Sequence, residues 1–104
     1  MKLREIGMGM HEKIKSIPTL EYVKKQTTLI GGEFLLLGLT KEHATALIEL
    51  AGNNGLEISE THLDEHEISL LSKRFKNVTP ESVTLYLGHT VGCEKPLYEL
   101  LERQ

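Results

Sequence analysis

The sequence predicts an α+β fold, a two-layer sandwich with helices packed on one face of a small mixed or antiparallel sheet. Three observations predict it. Hydrophobic periods near 3.6 and near 2 take turns along the chain, so helical and extended segments alternate. Two of the extended segments, 56–61 and 83–89, place polar residues at every second position, which a sheet covered on both sides would have to bury. The chain has 104 residues with no repeat, linker or low-complexity tract, the size of a single domain spanning 1–104. A three-layer α/β fold is the alternative arrangement of the same elements.

The elements follow in order. KLREIGM suits a short edge strand. Met10, Ile14 and Ile17 then fall at i, i+4 and i+7, one face of a short helix. Pro18 ends or kinks it, because proline lacks an N–H and restricts the residue before it. Leu20 and Val23 continue for a helical turn. In TTLIGGEFLLLGLT, Gly31-Gly32 between two apolar stretches predicts a tight hairpin, although a bulge in one long strand would use the same glycines. Phe34 to Leu39 is apolar except at Gly38, the mark of a central strand covered on both faces.

Thr40 caps a helix whose Ala44, Leu47, Ile48 and Ala51 form one stripe, and Asn53-Asn54-Gly55 closes it with a glycine able to turn left-handed. Leu56 and Ile58 then alternate with Glu57 and Ser59 as a half-buried strand. A helix over about 62–76 and a turn at Asn77 to Pro80 lead into VTLYLGH. There Val83, Leu85 and Leu87 lie on one side, Thr84 and Tyr86 on the other. Pro96 fits the first turn of a last helix carrying Leu97, Leu100 and Leu101. In pattern, GLTKEHATALIELAGNNGLEIS resembles the strand–helix–strand half of a ferredoxin-like domain.

Composition narrows the function. The formal net charge is −3, and the basic clusters Lys24-Lys25 and Lys73-Arg74-Lys76 are short, so nucleic acid is not an expected partner. The longest apolar run, FLLLGL, is far shorter than the ~20 residues that cross a bilayer, and no membrane partner is expected. The start of the chain has no apolar stretch of signal-peptide length, and Cys93 is the only cysteine. Both point to a reducing, cytoplasmic setting.

THLDEHE, residues 61–67, raises the question of a metal. With Thr61 as N-cap, His62 and His66 would share one helical face at i, i+4, a spacing that can grip a transition metal. That face also carries Ser69 and Lys73, away from Ile68, Leu71 and Phe75, and it lacks a third ligand. The acids Asp64, Glu65 and Glu67 suit a helix start, where the dipole favours negative charge. The expectation is a helix start and no metal or other cofactor, with His62 and His66 as the weak metal candidates.

The second candidate site is LYLGHTVGCEKP. A strand runs into Gly88, His89, Gly92 and Cys93 just before a helix, whose free N–H groups attract anions and stabilise a thiolate. His89 and Cys93 are the catalytic candidates, and Gly88, His89, Gly92 and Cys93 the ligand-binding ones. A lone Cys and His with no third group is a sparse set, and Cys93 equally suits a small buried hydrophobe. His89 and Cys93 could also join His62 and His66 around a metal, but an extended chain would hold them about 13 Å apart. Gly7-Met8-Gly9 and His11 would reach the same rim only if the first strand lay beside this one.

No assembled acid, base and nucleophile set is legible, so the reading leans away from a self-contained enzyme. The sequence points to a small cytoplasmic regulatory or protein-interaction domain that forms a homo-oligomer or binds a protein partner; if the polar sheet face is the contact, Tyr86, Thr84, Glu57 and Ser59 contribute to it. The alternatives are a small-anion or small-ligand binder, or thiol enzyme, at the 88–93 loop, and a metal protein using His62 and His66.

Overall fold

The computed structural model describes residues 17–104. The expected first strand, the helix through Met10 and Ile14, and the rim residues Gly7 to His11 fall outside these residues. The described elements are α1 (Leu20–Gln26), β1 (Thr27–Ile30), β2 (Glu33–Leu39), α2 (Lys41–Asn53), β3 (Ser59–Thr61), α3 (Glu65–Leu71), β4 (Val83–Gly88) and α4 (Lys95–Glu102). The strands form one antiparallel sheet in the order β1-β2-β4-β3. The α+β class therefore holds, and the parallel sheet of the α/β alternative does not occur among the described residues.

Local chemistry sets the boundaries. The Thr19 and Thr40 hydroxyls cap α1 and α2 by accepting from the Tyr22 and His43 amides. Gly31 (φ 56°) and Gly32 (φ 80°) make the two-residue turn that pairs Ile30 with Glu33, so the hairpin reading is the observed one. At the end of α2, Leu56 N–H donates to the Ala51 carbonyl and Gly55 N–H to that of Gly52, a Schellman closure around left-handed Gly55.

Gly38 is the pivot of the sheet. Leu36 pairs with Leu85, but the next pair is Leu39 with Val83, so between these pairs β2 carries one residue more than β4. Without that bulge Leu39 would point to the same face as Leu37. With it, Leu36 and Leu39 both join the main core, formed with Val23, Leu47, Leu85 and Leu97 from α1, α2, β4 and α4. Gly38 has φ 68°, and a Cβ there would lie 2.7 Å from Gln26 Nε2 and 2.8 Å from Asn77 Cβ. Only glycine suits both the conformation and the space.

The reverse face corrects the expectation of helices on one side only. Leu35 and Leu37 of β2 pack there against Phe75 and Val78, with Leu63, Ile68, Leu71 and Tyr86 around them. Helix α3 and the chain after it thus cover the side that the 83–89 alternation assigned to water. Thr84 is buried and Tyr86 half-buried in consequence. The physical reason lies in β2. Its all-apolar run has two faces to bury, at about 1.5–3 kcal/mol for each leucine, and one helical layer reaches only one of them. The 56–61 segment pairs only at Ser59–Thr61, opposite Thr84 to Tyr86, while Ile58 packs on the main core.

Candidate functional site

The helix expected from residue 62 begins later. Asp64 is its N-cap, not Thr61: Asp64 Oδ1 accepts from Glu67 N–H at 2.8 Å and Glu67 Oε1 accepts from Asp64 N–H at 3.0 Å, a reciprocal capping box. Glu67 can answer Asp64 in this way, whereas a cap at Thr61 would have only the shorter Asp64 side chain to reach back. His62 therefore precedes the helix and His66 lies inside it, so the i, i+4 helical pair does not form. Both are exposed. Among the described residues, no three His, Cys, Asp or Glu side chains gather closely enough to hold a metal ion.

At the 88–93 loop the two candidate side chains belong to different faces. His89 is exposed, and its Nδ1 shares a 2.9 Å hydrogen bond with the Tyr86 hydroxyl, on the side of the second cluster. Cys93 is half-buried and packs on the main core. A Cβ on Gly88 would lie 2.9 Å from Cys93 Sγ, so Gly88 is where the thiol rests against the strand. Gly92 (φ 88°) turns the chain into α4. The residue after the thiol is Glu94, whose Oε1 is buried with no hydrogen-bond partner among the described residues. An unpartnered acceptor at the start of α4 does not complement a bound anion there. The loop thus holds Gly88, His89, Gly92 and Cys93 in sequence without converging His89 on Cys93.

A different set of side chains does converge. At the bulged end of β2, a cleft of about 470 Å³ is lined from three directions: Tyr22 of α1, Thr40 and His43 at the start of α2, and Asn77 with its neighbours before β4. The Tyr22 hydroxyl donates to the Gly38 carbonyl at 2.9 Å and accepts from Asn77 Nδ2 at 3.0 Å. The Tyr22 and His43 rings meet edge to face, with centroids 6.3 Å apart. Gln26 Nε2 donates to the Leu37 carbonyl at 3.1 Å behind them, a buried side-chain bond to the backbone at the bulge. Sequence reasoning missed this set because its parts lie far apart along the chain. The one local signal was a glycine interrupting an otherwise apolar strand.

A larger groove of about 530 Å³ runs along the outer side of α2, lined by Ala46, Leu50 and polar residues of the same helix together with Ile17. Among the described residues its polar groups come from one helix and do not converge. Its far wall is Ile17, the first described residue.

Comparison with protein-family models, with curated proteins and with solved structures returns no match. Among the described residues no helix is long and apolar enough to cross a membrane.

Proposed function

We propose that this chain is a small regulatory or protein-interaction domain that self-associates, and not a self-contained enzyme. The observation that carries the reading is the open margin of the sheet. Among the described residues β1 pairs only with β2, and Leu29 in its middle is 58% exposed. A strand edge with free N–H and C=O groups and an apolar side chain is a ready template for another strand. This replaces the polar sheet face as the contact, since α3 and the chain after it pack on that face.

A second copy suits the edge by charge. Lys25, exposed in the last turn of α1, lies two residues before β1, and Glu33 lies beside Ile30 across the hairpin. Antiparallel pairing of two β1 strands about a twofold axis sets the Lys25 end of one copy beside the Glu33 end of the other. A four-residue strand is too short to supply the ~800 Å² per partner of a stable dimer, so the hairpin tip must join the contact and the affinity should be modest. A reducing, cytoplasmic setting accords with the single Cys93.

Light scattering coupled to size exclusion tests the reading. The expected result is a concentration-dependent dimer, shifted to monomer by Leu29→Lys. A strict monomer at several hundred micromolar overturns it.

A further inference from the structure

We propose that the cleft between Tyr22, His43 and Asn77 binds a small oxyanion-bearing molecule, a carboxylate or a phosphate. This is independent of self-association. The cleft volume of about 470 Å³ falls in the range of small-ligand sites. Its walls are fixed by the Tyr22 hydroxyl, which ties α1 to the bulge and to the chain after α3. The pair of rings gives it a flat apolar side.

The polar balance assigns the ligand class. Ser82 Oγ is spent, since it accepts from Thr79 N–H and donates to the Thr79 carbonyl. The oxygens of Thr40 and Thr79 already accept from backbone amides, which leaves each with its O–H proton to donate. Among the described residues Asn77 keeps its second amide N–H beside its Oδ1 acceptor, His43 offers its ring nitrogens, and Lys76, exposed, brings an ammonium with three donors. The groups left over are therefore mostly donors, and an acceptor-rich, negatively charged ligand complements them. Glu81, exposed, is the one acid among the described lining residues. It opposes such a ligand and so gives the proposal a sign that can be tested.

The test is a titration of the full ¹⁵N-labelled chain with inorganic phosphate and, separately, benzoate, to about 20 mM at constant ionic strength, following backbone amide shifts. Binding is weak, about millimolar, for probes this small. The expected result is saturable shifts at Thr40 to His43 and Asn77 to Ser82 with at least one probe. The better probe identifies the oxyanion as phosphate or carboxylate. Lys76→Ala should weaken the dissociation constant about two- to fivefold and Glu81→Gln should tighten it by a similar factor, the scale of exposed charge effects. Opposite signs from two surface variants cannot come from a folding defect. The proposal is overturned if neither probe shifts the cleft amides, or if they shift equally in both variants, as adventitious attraction to surface lysines would make them.

Discussion

Asn77 Nδ2 donates to the Tyr22 hydroxyl at 3.0 Å across 55 positions of sequence. The same hydroxyl donates to the Gly38 carbonyl at 2.9 Å. One oxygen thus joins the first described helix, the bulge in the central strand, and the chain that returns from the reverse face of the sheet. The cleft exists because these three segments are held at that point. The bulge, by turning Leu39 toward the main core, also turns the Gly38 carbonyl to where Tyr22 can reach it.

Tyr22→Phe removes both hydrogen bonds and leaves the ring in place. Its cost should be about 1–2 kcal/mol, because the Gly38 carbonyl is part-buried while Asn77 can turn to water. Thermal unfolding should fall by roughly 4–10 °C for a domain of this size. Tyr86→Phe is the control: among the described residues its hydroxyl bonds only to exposed His89, and the loss should be below about 0.5 kcal/mol. Equal losses at the two tyrosines would show that the Tyr22 hydroxyl is not a tie.

Gly38→Ala should be far more severe. It combines a left-handed backbone, costing about 1 kcal/mol for a residue with a Cβ, with contacts of 2.7 and 2.8 Å to Gln26 and Asn77. A loss of about 2–4 kcal/mol in urea unfolding is expected. Gly31→Ala meets nothing within 4 Å at φ 56° and should lose only the backbone part, about 1 kcal/mol. The difference between the two measures the crowding at the bulge.

These elements were not equally legible in the sequence. The Thr40 cap, the stripe from Ala44 to Ala51, the Gly31-Gly32 turn and the alternation from Val83 to Leu87 are all local. A few neighbouring residues decide each; the structure shows the cap, the stripe and the turn as read, and a strand over Val83–Gly88, but not the solvent-facing side its alternation implied. The start of α3 was misplaced because Thr61 and Asp64 are both good caps, and only the reciprocal reach of Glu67 decides between them. The side on which residues 62–82 fall was not legible at all. Leu35 and Leu37 announce a face to be covered, but nothing in their spacing names what covers it, and Thr84 and Tyr86 read as solvent-facing until Phe75 and Val78 are placed. The cleft was hidden for the same reason. His43 reads as an ordinary helix residue, and its meeting with Tyr22 and Asn77 is a product of long-range packing.

Cys93 separates a reactive thiol from a packed one. It is half-buried against the main core and sits under Gly88. Alkylation of the native protein should be at least about tenfold slower than in urea, because the thiol must be uncovered first. Cys93→Ala should cost about 1 kcal/mol and leave the dimer and the anion titration unchanged. Native alkylation faster than that of a free cysteine would restore the 88–93 loop as a chemical site.

The most direct test of the architecture compares two adjacent leucines. Leu36 and Leu37 are both wholly buried, yet they point to opposite faces of β2 and belong to different clusters. A sheet with helices on one face would make Leu37→Ala nearly neutral, below about 0.5 kcal/mol, since an exposed leucine loses little on truncation. The observed packing predicts otherwise. Leu37→Ala leaves a cavity among Leu35, Phe75 and Val78 and should cost about 3–4 kcal/mol, as much as Leu36→Ala. The two variants should still differ in where they loosen the protein. Leu37→Ala should speed amide exchange in α3 and in residues 72–82, whereas Leu36→Ala should speed it in α1, α2 and α4. Urea unfolding measures the first quantity and hydrogen exchange the second. If Leu37→Ala lost as much stability as Leu36→Ala but left α3 protected, the reverse face would be covered by something other than α3.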